Sequence, residues 1–299
     1  MRPDLAALAA RLPAAPLTRF APSPTGYLHI GHVVNAIYVW GVARALGGRV
    51  LLRIEDHDRL RSRPGFESAL LDDLAWLGFE PDAGPLRQSD ATSAYEAAVA
   101  TLAGSHHVYA CDCSRKQIAA AASTPAGAET PYTGRCRTRG RAEWEHGLGL
   151  RVQIAAGVER FDDGILGAQV QVPSTQCGDL LLRDRDGHWT YQFAVTVDDM
   201  RSGVDLVIRG VDLLASTGRQ IRLARMLGRA QPPVFAHHPL VLKPSGEKLS
   251  KSSGDAGVRE LRAAGVSASD VIGRAAAACG LIARPTAISA TTVEDLFRG

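Results

Sequence analysis

The stretch Thr18-Arg19-Phe20-Ala21-Pro22-Ser23-Pro24-Thr25-Gly26-Tyr27-Leu28-His29-Ile30-Gly31-His32, with the run that follows it to Ile54, decides the fold. Thr18 to Ala21 reads as a short strand and Pro22 to Gly26 as a turn. His32 to Leu46, rich in Val, Ile, Tyr and Trp, reads as a helix that Gly47-Gly48 ends. Arg49-Val50-Leu51-Leu52-Arg53-Ile54 is then a mostly apolar run, the pattern of a strand buried on both faces. Strand, crossover helix and second buried strand make a βαβ unit, which requires a parallel sheet and predicts an α/β fold.

Outward from that unit, Pro64 opens a second helix carrying Phe66, Leu70, Asp73, Leu74 and Leu77 at helical spacing, with Gly78 behind it. A third helix is expected around Tyr95, Val99 and Leu102. From about Gly104 to Leu180 the regular pattern fades into short strand-like runs and a loose Ala/Ser/Thr/Pro/Gly stretch, as in an inserted subdomain. The αβ rhythm resumes with Trp189 to Ala194, a strand over Asp205 to Arg209 and a helix over Leu213 to Leu227. A polar loop, Lys243 to Gly257, and two short helices, Val258 to Ala264 and Ser269 to Cys279, follow. The expected organisation is a first half of the core over 1–103, an insert over 104–180, a second half over 181–240, and the loop with C-terminal helices over 241–299.

A chain of 299 residues with 45% hydrophobic composition can bury a large core without disulfides. Its formal net charge of +3 permits a nucleic-acid surface and does not require one. Of five cysteines, Cys111, Cys113 and Cys136 share one segment, which fits a metal site in a reducing cytosol better than a disulfide framework. The apolar stretches in Met1 to Pro16 are short and interrupted by Asp4 and Arg11, so no secretory leader is expected. No apolar run is long enough to span a membrane, and a cytoplasmic protein is expected.

Three groups of residues carry chemistry. His29-Ile30-Gly31-His32 lies at a strand-to-helix junction, where helix amides and two imidazoles can face a phosphate chain. Lys248-Leu249-Ser250-Lys251-Ser252 sits on a polar loop whose lysines can neutralise charge on a departing pyrophosphate. Cys111, Cys113 and Cys136 offer three soft thiolates, with His106, His107, Asp112, Tyr132 or His146 in reach as a fourth ligand. Cys177 and Cys279 read as buried small apolar residues.

The first two groups, in this order and separation on a parallel sheet, resemble the paired signatures of class I aminoacyl-tRNA synthetases. Arg19 to His32 is similar to the glutamyl and glutaminyl branch of that class, as is Arg209-Gly210-Val211-Asp212-Leu213-Leu214-Ala215-Ser216-Thr217. The Cys-x-Cys, Tyr132, Cys136 set resembles the glutamyl-queuosine tRNA(Asp) synthetases, the short relatives of glutamyl-tRNA synthetase. The likeness runs from about Thr18 to Leu281. Leu249 departs from it, since many class I members carry Met there, and the swap conserves volume and polarity.

The resemblance implies a Rossmann-like ATP-binding core with an inserted zinc-bearing subdomain and no anticodon-binding domain. It places His29, Gly31, His32 and Lys251 on ATP and gives catalytic roles to His29, His32, Lys248 and Lys251. It places Arg19, Ala21, Ser23, Glu55, Tyr191 and Arg209 on glutamate. The charges suit that substrate, because two carboxylates call for fixed cations and an ammonium for an anion. Mg²⁺ is implied with ATP, and one structural Zn²⁺ on Cys111, Cys113, Tyr132 and Cys136. The implied reaction forms glutamyl-adenylate and esterifies the cyclopentenediol of queuosine at the wobble position of tRNA(Asp), met through its anticodon stem-loop by a monomer without a membrane. Three other readings stay open: a shortened glutamyl-tRNA synthetase charging a 3′ end, a non-catalytic tRNA-binding or amino-acid-sensing protein, and a small-molecule nucleotidyltransferase.

Overall fold

The structure, a computed structural model, describes residues 1–58, 61–121, 129–139, 144–241 and 257–298. Its strands in chain order are β1 Leu17–Phe20, β2 Arg49–Ile54, β3 Ala83–Arg87, β4 Val108–Cys111, β5 Gly149–Val152, β6 Glu159–Asp163, β7 Gly167–Gln171, β8 Leu180–Arg183, β9 Leu206–Gly210 and β10 Val234–His238.

Five of them form one sheet in the order β10-β9-β1-β2-β3. Every neighbouring pair in it is parallel, with Thr18 beside Leu206 and Val50, and Leu206 beside Val234. The helix expected after β1 spans Ile30–Ala45. Val33, Val34, Ile37, Tyr38, Val39, Trp40 and Val42 on it are all buried, because the sheet covers one side and the helix Ala268–Ala278 and the turn Ala290–Leu296 cover the other. A helix apolar on all faces belongs in such a position. Gly41 is part of the fit: a Cβ there would stand 2.3 Å from the Phe297 ring.

β4, β5 and β8 make a separate antiparallel sheet, and β6 with β7 a hairpin. A second apolar core, including Tyr95, Leu102, Val152, Leu182 and Phe193, joins the three-stranded sheet to the helices Thr92–Ser105 and Tyr191–Arg201.

Some elements differ from the sequence expectation. The first core helix begins at Ile30, because His29 caps it. β3 was not expected, since Gly84 and Pro85 break the strand pattern; Pro fits there because β3 is an edge strand. The expected helix over Leu213 to Leu227 is a 3₁₀ segment, Val211–Ser216, followed by an α-helix, Thr217–Met226. The expected loop over Lys243 to Gly257 lies outside the described residues except for Gly257. Among the described residues no helix is long and apolar enough to cross a membrane.

Candidate active site

From β1 the chain moves to β2 and β3 on one side, while β9 and β10 lie on the other. The strand order therefore reverses between β1 and β9, and in open α/β sheets the crevice beyond the strand ends at such a point receives ligands. A cleft of about 470 Å³ opens there.

Arg19 on β1 and Arg209 on β9 both enter this cleft, each 4% exposed. Glu55 follows the end of β2 and Tyr191 begins the helix Tyr191–Arg201; both line the same cleft. Ala21 and Ser23, just past β1, form another wall, and His29, Gly31 and His32 stand at the helix start beside it. Lys248 and Lys251 lie outside the described residues.

Two buried charges of the cleft, on Arg19 and Glu55, are matched by Asp199 and Arg53 behind the lining. The Arg19 Nε donates to Asp199 Oδ1 at 3.2 Å and its Nη1 to the Ile208 carbonyl at 3.3 Å. Arg53 bridges two acids, donating from Nη1 to Asp199 at 2.5 Å and from Nη2 to Glu55 at 2.9 Å. Burial pushes the Asp199 carboxyl up, but Arg19 and Arg53 outweigh it and hold it below the usual carboxylate range. Burial also raises the Tyr191 phenol above its ordinary value, so Tyr191 stays protonated near neutral pH and can donate.

The two histidines build the helix N-terminus between them. His29 Nδ1 accepts from Gly31 N and His32 Nδ1 accepts from His29 N, each at 3.1 Å, a reciprocal cap with the rings 4.0 Å apart. Accepting at Nδ1 puts the neutral-ring proton on Nε2 in both. A Cβ on Gly31 would fall 2.9 Å from His29 Cε1, so glycine there makes room for the folded-back His29 ring.

Residues 17–270 match the family described as tRNA synthetases class I (E and Q), catalytic domain. The chain belongs to the class I tRNA synthetases of the E and Q type. Among similar synthetases, the glutamyl-Q tRNA(Asp) synthetase of Geobacter sulfurreducens is 45% identical over 235 residues, covering 78% of this chain and 74% of that protein. The glutamyl-Q tRNA(Asp) synthetase of Symbiobacterium thermophilum is 42% identical over 296 residues, covering 93% of this chain and 91% of that one. The crystal structure of a glutamate tRNA ligase from Elizabethkingia meningosepticum in complex with its amino acid superposes with a TM-score of 0.71 at 24% identity. That match covers 94% of this chain and 64% of the ligase, and establishes the synthetase fold.

Away from the cleft, the synthetase gathers Cys111, Cys113 and Cys136 with sulfurs all within 4.8 Å of one another. The Tyr132 phenol oxygen lies 3.3 Å from Cys111 Sγ and 3.8 Å from Cys113 Sγ, while Cys113 and Cys136 sulfurs are 3.6 Å apart. Zinc–sulfur bonds of about 2.3 Å in a tetrahedron put sulfurs about 3.8 Å apart, so this donor set fits zinc. Of the other residues in reach, His106 Nε2 faces the Met226 carbonyl at 3.2 Å and His107 Nε2 the Arg137 carbonyl at 2.8 Å. His146 lies beside Trp144, and Asp112 Oδ1 stays close, 3.4 Å from Cys136 Sγ.

Without a cation the Tyr132 phenol and the Cys113 thiol resist ionisation. Burial raises the Tyr132 phenol, and burial with the Cys136 thiol pushes Cys113 up to about 11. Burial acts the same way on Cys111, but contacts from Tyr132, the Cys113 backbone and Arg151 hold it below the ordinary thiol value. Cys177 and Cys279 are buried elsewhere, with their thiols donating to the Pro173 and Ala276 carbonyls at 3.2 and 3.4 Å. A second cleft of about 680 Å³ runs from Cys111 and Cys113 past Arg151 to Tyr191, which lines both clefts.

The structure brings Arg19, Glu55 and Arg209 into one cleft, together with two residues that no motif marks: Asp199, which holds Arg19, and His237, which holds Arg209. The run Asp198-Asp199 on a helix was the one signal present, and nothing local ties it to a strand 180 residues away.

Proposed function

We propose that this chain activates L-glutamate with ATP and transfers it to the cyclopentenediol of queuosine at the wobble position of tRNA(Asp). The observation that carries the reading is the juxtaposition of Arg19, Arg209 and Glu55 in one cleft beside the His29-to-His32 helix start. Two guanidiniums suit the carboxylates of glutamate, Glu55 suits its ammonium, and Ala21, Ser23 and Tyr191 stand where they can fix its orientation. The names of the relatives support the acceptor.

The glutamate α-carboxylate attacks the α-phosphorus of ATP in line; the new C–O–P bond forms as the bond to pyrophosphate breaks. His29, Gly31 and His32 hold the phosphate chain at the helix start, and Lys248 and Lys251 meet the charge on the leaving pyrophosphate. Mg²⁺ accompanies ATP as its counter-ion. A queuosine hydroxyl then attacks the activated carbonyl, forming the ester and releasing AMP. The second cleft, which shares Tyr191, supplies room for a nucleoside next to the first. Cys111, Cys113, Tyr132 and Cys136 would hold zinc, which supplies a structural cross-link there and takes no part in the reaction.

Total tRNA is charged with ATP and labelled glutamate, digested with nuclease and analysed by mass spectrometry. Label on queuosine in the anticodon fragment of tRNA(Asp) is the expected result; label on a terminal adenosine would make the enzyme a shortened glutamyl-tRNA synthetase. His32→Ala and Lys251→Ala are expected to lower glutamate-dependent ATP–pyrophosphate exchange by about 100- to 1,000-fold, the usual effect of losing one preorganised donor.

A further inference from the structure

Arg209 is gripped from behind by three side chains that do not line the cleft, His237, Thr217 and Gln220, and by the backbone of Leu213, which does. Its Nε donates to His237 Nε2 at 3.0 Å and its Nη2 to Thr217 Oγ1 at 2.8 Å, a fork closed onto two acceptors. Nη1 donates to Gln220 Oε1 at 2.7 Å and Nη2 also to the Leu213 carbonyl at 3.3 Å. A guanidinium has five N–H groups, so these contacts leave Nη1 with one on the side where the Tyr191 phenol also meets the guanidinium, and a substrate carboxylate would share that position with Tyr191.

His237 is fully buried on β10 and its ring is fixed in turn. Its Nδ1 lies 2.5 Å from Asp163 Oδ2, and Asp163 Oδ1 accepts from the His237 backbone N–H at 3.1 Å. Asp163 Oδ1 also accepts from Ile165 N and Leu166 N, both at 3.0 Å, which locks the carboxylate at the β6–β7 turn. An ionised Asp163 can only accept, so Nδ1 carries the ring proton and Nε2 presents the lone pair that Arg209 Nε meets. The chain Asp163–His237–Arg209 thus runs from a hairpin 74 residues away to the cleft wall with one consistent set of donors and acceptors.

We propose that Asp163 and His237 are positioning residues for glutamate: they set the angle at which the remaining N–H of Arg209 meets a substrate carboxylate. This rests on the reading that Arg209 binds glutamate. With the Nε acceptor gone, the guanidinium turns to find another, and its last donor leaves the direction the substrate needs.

Glutamate-dependent ATP–pyrophosphate exchange, run with tRNA present, tests the pair. His237→Leu is expected to raise KM for glutamate by about 10- to 100-fold, the scale of a hydrogen bond to a charged group, with KM for ATP within about twofold. His237→Gln, which returns an acceptor carbonyl, recovers most of the loss. An unchanged KM for glutamate in His237→Leu, or equal rises for both substrates, overturns the proposal. ¹⁵N NMR of the unaltered chain tests the geometry without any variant: a protonated Nδ1 and a bare Nε2 on His237 at pH 7 are expected, and a proton on Nε2 overturns it. Arg209→Ala separates the two claims, because a normal KM for glutamate in that variant removes Arg209 as the substrate grip while the NMR result still decides the pairing.

Discussion

The cleft at the strand ends and the cysteine pocket both bury polar groups, and they settle the resulting charge in opposite ways. In the cleft, Arg19, Arg53, Glu55 and Asp199 neutralise one another inside the protein. In the pocket, three thiols and a phenol crowd together and burial holds Tyr132 and Cys113 in their neutral forms. The first pairs its charges internally around Asp199 and leaves Arg209 on neutral acceptors; the second is a donor set whose natural counter-charge is a divalent cation. The difference teaches that density of polar side chains alone does not distinguish a substrate site from a metal site. The sign and completeness of the internal pairing does.

The largest expected effect would break the comparison on the pocket side. Zinc bound by such a set contributes on the order of 10 kcal/mol to the region it ties together. Stripping it with a chelator should make Cys111, Cys113 and Cys136 reactive to a thiol reagent while Cys177 and Cys279 stay protected in their separate contacts. A protein that purifies without zinc and shows no change in thiol reactivity would remove the metal from this account.

Next in size is a break on the cleft side. Asp199→Ala leaves Arg19 and Arg53 buried with Glu55 as the remaining acid of their network, and removing one partner of a buried ion pair typically costs about 3–5 kcal/mol. Urea denaturation of the variant should show that loss with zinc content unchanged. A cost below about 1 kcal/mol would mean that water already screens the pair.

The smallest effect sharpens the comparison by pH. Burial pushes His237 and His238 below the ordinary imidazole value, to about 4 for His238. The unfolded chain takes up protons on both below about pH 6.5 and the folded chain does not, so stability declines as pH falls from there toward 4. Asp163 and Asp199, held low despite burial, stay ionised in both states between pH 7 and about pH 5 and add their own loss as the pH falls on through about 3.9, the unfolded value. The urea midpoint should fall between pH 7 and pH 5, and less so in His238→Gln; an equal midpoint at both pH values would mean that the rings are charged when folded.

How much was legible follows the range of the interactions involved. The strand–turn–helix–strand unit from Thr18 to Ile54 could be read because periodicity and glycine punctuation act over a few residues. The gathering of Arg19, Glu55 and Arg209 in one cleft could be anticipated because motifs carry these residues. β3 escaped because an edge strand tolerates the Gly84-Pro85 that would break a central one. Asp199, His237 and Asp163 escaped because their partners are set by tertiary packing across 28 to 180 residues, and no local spacing encodes that. The resemblance places Gly31 on ATP, but the close approach of its backbone to the neighbouring His29 ring is a local detail that the motif does not spell out.

The order β9-β1-β2 has a metrical consequence. Arg209 and Arg19 stand on neighbouring parallel strands and Glu55 directly follows the end of the next one, and the strand separation of about 4.8 Å is imposed by backbone hydrogen bonds. The cleft therefore has a built-in gauge along the sheet. An amino acid one methylene shorter or longer than the fitted one can be followed only by side-chain rotation, never by sliding the strands, and Arg53 and Asp199 already clamp much of that rotation.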